Sequence, residues 1–225
     1  MMSSRGKTKL DVASILETSS HTLKVARAKV NHEEINDAKL SRENDSTTLT
    51  VQSIPAILTR LESDVNELRT KGAEQLALLV EATPDGEPAQ VLGEFLREAG
   101  AIDLLVQLLA DDVPAIVRYT LITLGNLCSD FIDSQAQESK ELLLEAGGLD
   151  AIVRCLGSTD FAVVLYACAC LQNLCSAEKY SDAAVRAGAA KSLERVVRAM
   201  ESAMQLKELD VGECAKQPPH VQPRE

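Results

Sequence analysis

Three stretches of this chain are written to one plan: REAGAIDLLVQLL (97–109), LEAGGLDAIVRCL (144–156) and VRAGAAKSLERVV (185–197). In each, a short helical run closes at Ala-Gly and an apolar run with helical spacing starts at once. Gly100, Gly147 and Gly188 mark the junctions. A helix that stops this abruptly needs left-handed backbone angles, which glycine adopts without steric cost. The junctions lie 47 and then 41 residues apart, and the loop DFIDSQAQES (130–139) accounts for the longer interval. Each of the first two apolar helices is followed by a turn and a longer helix. Asp112 and Asp160 are the expected N-caps, and Pro114 fits a first helical turn. The ends of these longer helices echo each other as well: TLGNLCSD (123–130) returns as CLQNLCSA (170–177). A degraded copy precedes them. Ile54, Leu61, Val65, Leu68, Leu76 and Leu79 follow Ile102, Leu109, Val113, Ile116, Leu124 and Leu127 at an offset of 48. A unit that cannot bury its apolar face alone must stack on its neighbours, so the chain is expected to be a solenoid.

A three-helix period of 40–47 residues belongs to armadillo and HEAT solenoids. REAGAIDLLVQLLADDVPAIVRYTLITLGNLC and LEAGGLDAIVRCLGSTDFAVVLYACACLQNLC resemble armadillo repeats: a short first helix closing in Ala-Gly, a second helix, and a third ending in a Gly-Asn-Leu-type sequence. The resemblance covers about residues 50–209 and implies an all-α superhelix of about three and a half repeats. Composition agrees, since 45% of the residues are hydrophobic while only 3% are aromatic and none is Trp, which favours packed helices over a sheet sandwich. The expected organisation is a flexible N-terminal segment (1–45), with a short helix near Leu10–Leu16 or Leu23–Val30, then the solenoid (46–209) and a disordered, Pro-containing tail (210–225).

Helical geometry separates two faces of the longer helices. With Val117 at 0° and 100° per residue, Leu121 falls at about 40°, Leu124 at about −20° and Cys128 at about 20°. Val164, Cys168, Leu171 and Cys175 repeat this stripe, so the echoed cysteines are read as small, buried core residues. Tyr119, Ile122 and Asn126 lie at about 140–200°, and Tyr166, Ala169 and Asn173 take the same angles one repeat later. In the armadillo family, third helices line a concave groove and an Asn at this position clamps the main chain of an extended peptide. A carboxamide can do this because it donates and accepts at once. The resemblance therefore implies a peptide-binding groove of Tyr119, Ile122, Asn126, Tyr166, Ala169 and Asn173. Family members that bind nuclear signals place Trp four residues before the Asn; Ile122 and Ala169 stand there instead, so that ligand is not expected. The other reading of the Asn ladder is structural: each Asn bonds the backbone of a neighbouring repeat and holds the stack together.

The rest of the sequence narrows the function classes. The net charge is −11, and with residues 1–50 at +1 the remainder carries −12. A nucleic-acid partner needs a basic face, so it is not expected, while a basic protein partner is favoured. No apolar run has the ~18 residues of a membrane span. Arg5, Lys7, Lys9, Lys24, Arg27 and Lys29 read as a basic tail, and no secretory signal precedes them. The cysteines are accordingly expected to be reduced, in the cytoplasm, with nucleus or cilium as alternatives. The asparagine of NDS (44–46) then goes unglycosylated. No metal is expected, because Cys168 and Cys170 point about 200° apart on one helix. His21, His32 and His220 fall in the tails, and no phosphate loop or nucleophile motif occurs, so neither catalysis nor a cofactor is expected. The leading expectation is a non-catalytic module that binds an extended peptide or helix of a partner protein. The alternatives are a structural subunit of a larger assembly, such as a ciliary or cytoskeletal one, and a small-GTPase regulator of armadillo type.

Overall fold

The computed structural model describes residues 49–214, with side chains described to residue 202. Residues 1–48 and 215–225 lie outside that range, and with them both expected N-terminal helices. Among the described residues every element is helical: a 3-10 turn at Val51–Ser53, then α1 (Ile54–Leu61), α2 (Asn66–Ala82), α3 (Glu87–Glu98), α4 (Ala101–Leu108), α5 (Pro114–Leu127), α6 (Ala136–Glu145), α7 (Gly148–Cys155), α8 (Phe161–Leu174), α9 (Glu178–Arg186) and α10 (Ala189–Cys214). Two complete three-helix units, α3–α5 and α6–α8, are flanked by the two-helix pieces α1–α2 and α9–α10. The fold is an armadillo-type α-solenoid.

The Ala-Gly junctions do what the sequence requires of them. Gly100, Gly147 and Gly188 have φ of 67°, 75° and 86°. A Cβ at any of the three would meet nothing within 4 Å, so it is the backbone angle, not space, that calls for glycine. The hydrogen bonds repeat too: the N–H groups of Gly100, Gly147 and Gly188 donate to the carbonyls of Arg97, Leu144 and Val185. Asp160 caps α8 by accepting from the Val163 N–H at 3.1 Å. The corresponding expectation for Asp112 is not met. Pro114 holds the residue before it in extended backbone, so the cap position falls on Val113, and Asp111 Oδ1 accepts the Val113 N–H at 2.9 Å. At the other end, α10 continues to Cys214, past the boundary expected at residue 209. The run MQLKELD consists mostly of good helix formers, and the first proline after it is Pro218.

The third helices form a continuous row, α2 against α5 and α5 against α8, with α4 and α7 packed beneath α5 and α8. Both apolar stripes are buried in one core: Leu124 and Leu171 are 0% exposed, and Cys128 and Cys168 1%. Each such leucine stabilises the fold by about 1.5–3 kcal/mol relative to exposure. The upstream copy fits at Ile54, Leu61, Leu76 and Leu79, which are buried. It departs at Val65 and Leu68, which are exposed although Ile116, the counterpart of Leu68, is fully buried. α5 is covered by a third helix on each side, whereas among the described residues α2 has one only on the α5 side.

Candidate functional site

α5 and α8 approach each other at Gly125, where a Cβ would meet the Cys170 Cα at an ordinary van der Waals distance of 3.6 Å. This proximity decides the role of Asn173. Its side-chain N–H donates to the Gly125 carbonyl at 2.8 Å, a bond from one repeat to the one before it. Asn126, the same residue one repeat earlier, makes no side-chain hydrogen bond among the described residues, and Ala77 stands where an equivalent of Gly125 would be.

Five of the six sequence-assigned groove residues share one shallow depression. Ile122 and Asn126 come from α5, Tyr166, Ala169 and Asn173 from α8, and Glu81 at the end of α2 completes the rim. Tyr119 is half-buried and does not line it. Tyr166 is only 4% exposed, so its ring sits in the wall of the depression and not on an open surface. All of α8 from Val163 to Cys168 is buried, because α5 packs on one side of it and α7 on the other. Angle alone places Tyr119 and Tyr166 alike. Only the packing distinguishes them.

The ends of the third helices carry a second set of polar contacts that the sequence reading did not single out. Lys140 on α6 is 0% exposed. Its ammonium donates to Asp130 after α5 and to Ser176 Oγ after α8, the latter at 2.7 Å, and Ser176 in turn donates to Asp130 at 2.7 Å. Burial alone would raise the Asp130 carboxyl, but hydrogen bonds from Lys140 and Ser176 outweigh it and hold the group below its ordinary value. Arg97 on α3 donates to Asp133 at 2.7 Å, to Ser139 at 2.9 Å and to Gln135 at 2.8 Å, fastening the inserted loop. Lys140 could have been found from the sequence, since with Ala136, Ser139 and Leu143 it occupies the buried register of α6.

Four of the core thiols sit where burial disfavours the thiolate. Burial pushes Cys128 and Cys168 up to about 12, and raises Cys155 and Cys170 as well, so all four are protonated at neutral pH.

A row of stacked three-helix units defines an α-solenoid of the armadillo type, and comparison with known proteins agrees. Residues 136–176, which span α6–α8, match the armadillo/beta-catenin-like repeat. That segment is similar to one armadillo repeat, and the described helices have the armadillo-type fold. No curated protein matches it. Among solved structures, an engineered protein determined as a structural-genomics target is similar with a TM-score of 0.56 at 22% identity, covering 68% of this chain and 62% of its own. The designed armadillo repeat protein YIII(Dq)4CqI is similar with a TM-score of 0.51 at 22% identity, over 60% of this chain and 53% of its own. A third, the designed armadillo repeat protein YIII(Dq.V1)4CPAF in complex with the peptide (KR)4, has a TM-score of 0.52 at 19% identity, over 79% of this chain and 69% of its own. The chain thus spans just over half to three fifths of the length of the first two.

Proposed function

We propose that the protein is a non-catalytic interaction module that holds an extended segment of a partner protein along the row α2, α5 and α8. The observation that carries this is Asn126: a carboxamide on the rim of a depression, next to apolar Ile122 and Ala169, with no hydrogen bond among the described residues. A side chain so placed can meet both the N–H and the C=O of a peptide without reading its sequence. That a designed armadillo protein of similar fold was solved with a bound peptide supports the reading. Asn173 contributes differently, as a tie between repeats that fixes the spacing of the clamp.

Photo-cross-linking tests this. Benzoylphenylalanine at position 122 should capture one defined partner segment from cell extract, and the same group at Gln137, on α6, should not. Equal capture at both positions, or none at 122, would overturn the assignment.

A second reading, a structural subunit of a larger assembly, is favoured by Phe131, which is 86% exposed on a loop held by Arg97 and Lys140. Cross-links from position 131 in place of 122 would support that reading.

A further inference from the structure

We infer that residues 12–30 of this chain form a helix that docks on the outer edge of α2 and closes the open end of the solenoid. The inference concerns the side of α2 turned away from α5, and it holds whether or not a peptide occupies the depression.

The row itself shows which edge is open. A Cβ on Gly125 would meet Cys170, so Cys170 marks the side of α8 that faces α5. Val163, two turns earlier, shares that side, and both residues are buried. Their counterparts Thr123 and Ile116 give the same side of α5, which packs on α2, and both are buried as well. In α2 the two positions hold Gln75, half-buried, and Leu68, which is 44% exposed. Val65, one turn before Leu68, is 49% exposed. Apolar side chains thus stand at the edge where a preceding third helix would lie, and among the described residues no third helix lies there. A terminal repeat with an apolar outer edge needs a cap to stay soluble.

The occupant is argued from the residues that lead into α1. Val12, Ile15, Leu16, Leu23, Ala26 and Val30 fall within about 60° of one line on a helix, which joins the two expected N-terminal helices into a single stripe. No proline or glycine interrupts residues 12–30. Ser19, Ser20 and Thr22 make the stretch a weak helix on its own, one that needs a surface to pack against. As a helix it is about 28 Å long and α2 about 26 Å, so the two match end to end. Charge agrees. The stretch carries Lys24, Arg27 and Lys29 against Glu17, while Glu62, Asp64 and Glu67 are exposed around Val65 and Leu68. Arg69, in their midst, is committed to Asp111 and Asn66, and Lys71 stands one turn past Leu68. Residues 31–48 remain as a linker that can span up to roughly 60 Å, enough to reach Leu49 from either end of α2. Because the helix is tethered, it meets the edge at a far higher effective concentration than a second copy would.

The test uses the full chain. Benzoylphenylalanine at position 68, irradiated in dilute solution, should give a product of monomer mass that joins position 68 to a peptide within residues 12–30. The same group at Glu94, exposed on α3, should not reach that segment. Trypsin gives a second readout at Lys24, Arg27 and Lys29. Leu68→Ser should speed cleavage there about tenfold, the effect of uncovering one buried leucine. Ile15→Ser, which leaves the solenoid untouched, should do the same. Val91→Ser, at an exposed position of α3, should leave the rate unchanged. A product of dimer mass would assign the edge to a second copy and overturn the inference. Absence of a cross-link into residues 12–30, or cleavage that Leu68→Ser leaves unchanged, would overturn it too.

Discussion

The two complete repeats, α3–α5 and α6–α8, share a backbone plan and differ in where they keep their polar groups. At a 47-residue offset, Lys140 of the second repeat replaces Gly93 of the first. The exchange is physical. A Cβ on Gly93 would collide with the Asp133 carboxylate, so the glycine makes room for an acid that Arg97 then neutralises. In the second repeat the same position carries the cation itself, and its acid, Asp130, stays near the surface. The Asn pair divides in the same manner: Asn173 is tied to α5, while Asn126 is turned to a depression. Thiols also gather in the second repeat, where Cys155, Cys168 and Cys170 stand at the places of Leu108, Leu121 and Thr123. A common backbone thus carries one repeat built to lock onto its neighbour and one that keeps a carboxamide available.

The largest effect should come from the buried cations. The Asp133 side chain is 2% exposed, so Arg97→Ala leaves a buried carboxylate without its cation and with only the Gln135 N–H to bond it, and should cost about 3–5 kcal/mol in urea unfolding. The Asp130 side chain is 54% exposed, so Lys140→Met leaves its acid to solvent and should cost under about 1.5 kcal/mol. Equal losses would mean that burial of the acid does not distinguish the two repeats.

Alkaline pH probes the thiols. Unfolding releases them to roughly 8.5. The folded-state value is the higher one, so their contribution is whole below pH ~8.5 and is lost as pH rises towards the folded value of about 12. Stability should fall by about 1.4 kcal/mol per pH unit for each such thiol. Cys168→Ala should lower the fall measured between pH 9 and 10 by one thiol's share. Hydrogen exchange should show α6–α8 opening before α3–α5, and a uniform opening would contradict the uneven distribution of the thiols.

The smallest effect separates the asparagines. Asn173→Ala removes a bond between repeats and should cost about 1 kcal/mol, while Asn126→Ala should stay within about 0.5 kcal/mol. Matched losses in thermal unfolding would make both residues stacking devices, and matched indifference would deny Asn173 its tie.

Much of this protein could be read from its residues alone. Gly100, Gly147 and Gly188 announce left-handed helix ends, and the stripe Val117, Leu121, Leu124, Cys128 announces a buried face. Both are local consequences of backbone sterics and of 3.6 residues per turn, so they survive without tertiary information. Periodicity likewise places Asn126 and Asn173 together, opposite the core. It cannot assign their partners, because a carboxamide's role depends on which carbonyl comes within 3 Å. That distance was set by the approach of α8 to α5 at Gly125. Packing, not angle, also buried Tyr166, left Leu68 exposed at the first helix of the row, and brought Glu81 to a site nearly a hundred residues from Asn173. The sequence determined a stack of helices with a polar row along it. Only the contacts between repeats decided which member of that row is fastened to its neighbour and which is left facing the depression.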